Sequence, residues 1–228
     1  MKQKIFIRSW NGFYPLKKKL DKSEFSNYYK TYYSNYEKNN INSSTPWLSN
    51  KIKISREIAA IISPFKKILS VGCGNGLIEK NLLKELPSDI FIKGIDPYIN
   101  KSQELNLSNI KIEKKSIFHK SLSKYDVVFM NTVDYCLDDK QYKRIVKRIR
   151  SLSKNGLLMS QLLSPNLDYL CSIKYKISTF LKSIPISPYV FWGWHRTLDE
   201  HLSLLKESGY NEFNVGMHYS GSYWIYAK

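Results

Sequence analysis

A chain of 228 residues with 43% apolar content can bury a full core and fits one domain with embellishments. Its 36 Lys+Arg against 19 Asp+Glu leave a formal charge of +17. That balance invites a polyanion, but a chain rich in Lys, Asn, Ile, Tyr and Ser reaches it by composition alone, and charge speaks to partners rather than to fold. Three scattered cysteines, Cys73, Cys136 and Cys171, form neither a disulfide framework nor a cluster with zinc spacing, so no metal is expected. The apolar stretch near the N-terminus is too short for a signal-peptide core, and no run approaches the roughly 18 apolar residues of a membrane span. The expectation is a cytoplasmic protein.

Residues 1–50 read as a polar, tyrosine-rich segment. Phe25, Tyr28, Tyr29, Tyr32, Tyr33 and Tyr36 follow helical spacing, which fits a helix packed on the body or a lid over a pocket. "NNINSSTP" reads as a loop, and "LSNKIKISREIAAIISP" as a helix ending before Pro64. From residue 66 strands and helices alternate. "KILSVG" is a buried strand, "GLIEKNLLKEL" a helix, "DIFIKGID" a strand and "NKSQELNL" a short helix. "IKIEKK" and "YDVVFMN" are further strands, and "DKQYKRIVKRIRSLS" is an amphipathic helix with Tyr142, Ile145, Val146 and Ile149 on one face. The strand "GLLMSQLL" follows. A segment rich in Tyr, Ile, Pro and Trp at 165–196 interrupts the rhythm and reads as a cap-like insertion. Thr197 and Glu200 then form a capping box for a last helix, which Gly209 ends. The chain closes on two strands joined by a short turn. Such alternation specifies a parallel α/β sheet covered on both faces.

The stretch "ILSVGCGNGL" carries Gly72, Gly74 and Gly76 between a buried strand and a helix. Ligands of open parallel sheets sit at such strand ends, and the glycines let a backbone approach them closely. No Gly-Lys-Ser/Thr follows, which excludes a P-loop. The dinucleotide fingerprint needs its third glycine where Leu77 stands. The second strand ends in "KGIDPY", which puts Asp96 where a carboxylate accepts both hydroxyls of a ribose.

Taken in order, these pieces resemble the class I S-adenosylmethionine-dependent methyltransferases from about residue 50 onward. "ILSVGCGNGLIEKNLL" is similar to the family's first motif, "FIKGIDPY" to its acidic loop, "KKSIFH" to its adenine-contacting turn and "YDVVFMNTVDYCLDD" to the strand and loop facing the methyl group. "LSKNGLLMSQ" and "TLDEHLSLLKESGYNEFNV" resemble the later strand, helix and hairpin. The resemblance implies a Rossmann-like, seven-stranded, mostly parallel α/β sheet with helices on both faces, a C-terminal antiparallel hairpin and an N-terminal helical lid. The implied division is a lid segment at 1–50 and a methyltransferase domain at 51–228. It implies S-adenosyl-L-methionine held by Gly72, Cys73, Gly74, Asn75, Gly76, Asp96, Pro97, Ser116, Ile117 and Asn131. Ser70 departs from the family, whose members place Asp or Glu there; an acid from elsewhere, or ordered water, would have to compensate.

Methyl transfer from a sulfonium needs alignment, exclusion of water and, for a hydroxyl acceptor, a base. His195, in "YVFWGWHRT", is the leading candidate, since it follows the fifth strand where the family inserts substrate-contacting segments. His119 reads as surface, and His201 and His218 are not singled out; Asp134 and Tyr135 are placed to face the acceptor. The expected acceptor is a small or carrier-linked metabolite methylated at oxygen or nitrogen. An RNA substrate, or a catalytically silent binding subunit, are the rival readings. The insertion also permits peripheral membrane contact.

Overall fold

The computed structural model describes residues 4–9, 12–16, 46–162 and 191–228. Its elements in chain order are β1 (Lys4–Ser9), β2 (Gly12–Leu16), α1 (Pro46–Ile62), β3 (Lys67–Val71), α2 (Leu77–Glu85), β4 (Phe91–Ile95), β5 (Leu105–Asn106), β6 (Ile110–Glu113) and β7 (Val127–Asn131), followed by α3 (Asp139–Leu152), β8 (Leu157–Leu162), β9 (Phe191–His195), α4 (Leu198–Glu207), β10 (Phe213–Met217) and β11 (Tyr223–Ala227). Eight strands make one sheet in the order β10-β11-β8-β7-β3-β4-β6-β5. Strands β8, β7, β3, β4 and β6 are parallel; β11 joins β8 antiparallel and pairs with β10 as the closing hairpin.

The central strands β3, β7 and β8 are mostly apolar because both faces are covered. Along β7, Val127 and Phe129 enter one core with Ile54, Ile58, Ile62, Ile78 and Leu82 of α1 and α2. Val128 and Met130 enter the other, with Tyr142, Val146, Ile149 and Leu205 of α3 and α4. Each such fully buried side chain is worth about 1.5–3 kcal/mol. Helix α3 opens on a capping box, with Asp138 accepting from Gln141 N at 2.7 Å, and α4 on the expected Thr197–Glu200 box. Gly209 follows α4 at φ 94.

Three elements differ from expectation. The stretch read as a short helix at 100–107 is a 3-10 turn, Lys101–Gln103, followed by β5, which pairs antiparallel with β6 and brings the sheet to eight strands. Helix α1 opens at Pro46, which the sequence pattern places at the end of the preceding loop. The N-terminal segment, expected to be a helical lid, contains β1 and β2; they form a second sheet with β9 in the order β2-β1-β9, Lys4 standing opposite His195. An isolated hairpin is marginal in water, and the third strand lies some 190 residues along the chain, beyond the reach of local patterning. The tyrosine stripe at 25–36, Cys171 and most of the insertion at 165–196 lie outside the described residues.

Strand β3 is the centre of the site's geometry. The chain leaves it toward β4 on one side and later returns to β7 on the other. The two crossovers diverge there and open a crevice at the carboxyl ends of the strands.

Candidate active site

The turn out of β3 is bracketed by backbone and carboxylate. Gly72 N and Cys73 N both donate to Ile95 O, at 2.8 and 3.3 Å, and Gly76 N donates to Cys73 O at 3.0 Å. Gly72, Gly74 and Gly76 have φ of 73, 55 and 75, a region open to glycine and strained for other residues. A Cβ on Gly72 would stand 2.5 Å from Val133 Cγ2, so the loop also lies tight against the turn after β7. Gly76 precedes α2 with no side-chain cap, leaving the first N–H groups of the helix for another acceptor.

Asp96 follows β4 and is buried. Its Oδ2 accepts Gly74 N at 3.2 Å and its Oδ1 accepts Tyr98 N at 2.8 Å, which fixes the carboxylate against the middle of the glycine loop. Pro97 beside it is exposed, while Cys73 and Asn75 are half-buried. Asn131 ends β7, and its Oδ1 is buried with no hydrogen-bond partner. The residues after β6 separate: Ser116 is exposed and caps a turn by accepting Phe118 N at 3.2 Å, whereas Ile117 is buried in the α3 side of the core.

Sequence reasoning missed Glu79. This side chain of α2 is 1% exposed and accepts the Ser70 hydroxyl at 2.5 Å through Oε1; its Oε2 has no partner. Burial pushes its carboxyl up to about 7, Asp96 adding to the rise while Ser70 and Lys51 oppose it. The signal was present: 79, 82, 83 and 86 share helical spacing, so Glu79 lies on the stripe of Leu82 and Leu86.

Strain marks the neighbouring strand ends. Thr132 and Gln161, just past β7 and within β8, have φ of 58 and 57, a conformation that non-glycine residues keep only where the surroundings enforce it. Thr132 Oγ1 donates to Gln161 Oε1 at 3.1 Å, and Lys51 reaches the same oxygen from α1 at 2.6 Å.

The loop facing this edge is held by a residue adjacent to the predicted base. Arg196 is buried; it donates to Asp134 O at 3.0 Å, to Leu137 O at 2.6 Å and to Asp139 Oδ1 at 2.9 and 2.8 Å. Asp134 lies under this clamp, with its carboxyl pushed up to about 6 by burial against the pull of Arg196. His201 Nε2 stands 3.6 Å from Asp134 Oδ2, and His201 Nδ1 is 3.1 Å from the Tyr142 hydroxyl. His195 lies on β9, which packs against the 3-10 turn Asp134–Cys136; its side chain lies outside the description. His119 is exposed and bonds Ser121. His218 is buried, bridging Ser160 Oγ at 2.9 Å and Glu57, and so ties the hairpin turn to β8 and α1.

An open α/β sheet with a glycine turn, an adjoining acid and uncommitted buried acceptors at one crevice defines a protein that binds a nucleoside-bearing cofactor. A family model described as a methyltransferase domain matches residues 49–212, and the chain belongs to that family, the S-adenosylmethionine-dependent methyltransferases. S-adenosylmethionine is therefore its cofactor. No curated protein matches the sequence. Among solved structures, human N-acetylserotonin methyltransferase in complex with S-adenosylmethionine is similar at 18% identity, TM-score 0.61, over 91% of this chain and 56% of that one. Magnesium protoporphyrin IX methyltransferase from Synechocystis PCC 6803 is similar at 11% identity, TM-score 0.63, over 93% and 99%. The mitomycin 7-O-methyltransferase gives 16% identity, TM-score 0.57, over 86% and 59%. The chain thus spans little more than half the length of two of these proteins. No helix among the described residues is long and apolar enough to cross a membrane.

The residues fit the cofactor. The three glycines hold a turn at φ values that other side chains resist, Asp96 offers a carboxylate beside it, and the uncommitted oxygens of Glu79 and Asn131 are buried acceptors awaiting donors.

Proposed function

We propose that the protein transfers a methyl group from S-adenosylmethionine to an oxygen or nitrogen of a small or carrier-linked metabolite in the cytoplasm. The observation that carries this reading is a glycine turn at the carboxyl edge of the sheet with two buried acids beside it, Asp96 and Glu79, and the buried Asn131 Oδ1 at the end of the neighbouring strand β7. When bound, the cofactor supplies an electrophilic methyl on a sulfonium. Gly72, Cys73, Gly74, Asn75 and Gly76 would shape the bed for it, Asp96 with Pro97 would meet its ribose, and Ser116 with Ile117 its adenine. Asn131 would face its methionine end. His195, on a strand that packs against the turn at Asp134, is the group proposed to take the acceptor's proton.

A metabolite is favoured over RNA by the position of one basic cluster. Among the described residues, Lys147, Arg150, Lys154 and Lys228 line one cleft, near Gly156 at the start of β8. That is the amino edge of the sheet, opposite the glycine turn, so a strand following this charge would bypass the site.

Titration calorimetry with S-adenosylmethionine and its demethylated product tests the cofactor reading; binding of neither at millimolar concentration would end it. A metabolite screen with tritiated methyl donor tests the acceptor class. Retention on total RNA with a steep salt slope would move the assignment to RNA. His195→Ala is expected to depress turnover while the cofactor constant holds; wild-type turnover would remove His195 from the chemistry.

A further inference from the structure

A carboxyl buried with one oxygen uncommitted is costly to a fold. Glu79 is such a group. The groups facing it come from four elements. Ser70 of β3 donates to Oε1; Asp96 beyond β4 and the Cys73 thiol of the glycine turn bring further acidic groups; Lys51 of α1 is near enough to favour the ionised form. The Lys51 ammonium makes its own hydrogen bond to Gln161. Oε2 of Glu79 lies 4.0 Å from where a Cβ on Gly76 would stand, directly beneath the turn that cradles the ligand. An apolar residue here would pack with Leu82 on the α1–α2 side of the core at no such cost. An acid at this point contributes an acceptor for a cation that arrives with the ligand.

We propose that Glu79 is the carboxylate that receives the α-ammonium of the bound cofactor, and that Ser70 orients it by donating its hydroxyl to Oε1. The charge absent at the end of β3 is thus supplied from α2. This inference rests on the methyltransferase reading. It has a consequence for protons: a carboxyl held up to about 7 by burial is partly protonated at neutral pH in the free protein. The arriving ammonium favours the carboxylate, so Glu79–COOH gives up its proton to solvent as the pair forms, and binding is accompanied by proton release.

The test titrates the full chain and its Glu79→Gln variant with S-adenosylhomocysteine and with 5′-methylthioadenosine, which carries the nucleoside and thioether but no amino acid. The variant is expected to lose about 10- to 100-fold in affinity for the first ligand and nothing for the second. Ligand-free Glu79→Gln should also melt higher than wild type at pH 8, opposite to the effect of removing a structural brace. Wild-type calorimetry near pH 7, in buffers of different ionisation enthalpy, should show net proton release. Equal losses for both ligands, an unchanged affinity for S-adenosylhomocysteine, or no proton release from wild type would each overturn the proposal. If wild type bound neither ligand, the methyltransferase reading would fall first.

Discussion

Replacing Arg196 with alanine should loosen the loop between β7 and α3 more than any nearby surface change. The guanidinium side chain is 4% exposed, so its loss strands the carbonyl oxygen of Leu137 in a place with little water and leaves that of Asp134 with the Leu137 N–H alone. The stranded acceptor costs about 1 kcal/mol or more. The ion pair to Asp139 adds little, because that carboxylate is 44% exposed and solvent screens it to about 0.5 kcal/mol or less. Stacking of the guanidinium over Tyr142, 4.8 Å from the ring centre, adds about 0.5–1 kcal/mol. Arg196→Ala is therefore expected to cost about 2 kcal/mol, a fall of roughly 4–8 °C in Tm for a domain of this size. Urea denaturation of Arg196→Ala beside Asp139→Ala measures both shares. A loss below about 1 kcal/mol for the arginine variant would refute the clamp. An equally large loss for Asp139→Ala would refute the division between stranded carbonyl and exposed ion pair.

Gly72→Ala should cost stability and cofactor affinity together, since it strains a φ of 73 and drives a methyl into Val133; the double variant with Val133→Ala should recover only the steric part in urea titrations. Asp96→Asn should weaken S-adenosylhomocysteine binding by about tenfold or more, and unchanged calorimetric affinity would refute the ribose assignment. Glu79 and Asp134 both carry raised pKa values, about 7 and about 6 against 4.5 and 3.8. Their contribution is therefore fully present below about pH 4 and lost as pH rises through 6 and 7, so the ligand-free protein should be more stable at pH 5 than at pH 8 on their account. Glu79→Gln should remove its share of that slope, about 3 kcal/mol, in denaturant midpoints at the two pH values. Ser70→Asp alone would set a second carboxyl against Glu79 in place of the hydroxyl that now donates to it; placing Asp at 70 is useful only together with Glu79→Gln.

The parallel body was legible because its signals are local. Apolar strands such as "KILSV" and "VVFMN", the stripe of α3, the Thr197–Glu200 box and the spacing of three glycines each act within a few residues. Asp96 was legible for the same reason, as an acid one residue past a strand. The tertiary arrangement settled what local pattern leaves open. Strand β1 has no stable partner until β9 arrives from the far end of the chain. His201 and His218 look ordinary on their own elements, and become buried partners of Tyr142 and Ser160 only when α4 and the hairpin dock.

The sequence by itself determined the strand-helix rhythm, the glycine turn and the family, since these depend on neighbours in the chain. It marked Ser70 as an acid missing from its usual place. Only the folded chain decided where the acid went, because Ser70 and Glu79 stand on different elements and meet when α2 packs back on β3. Charge at a site is a property of distance in space, and nine residues of sequence separation do not reveal a contact of 2.5 Å.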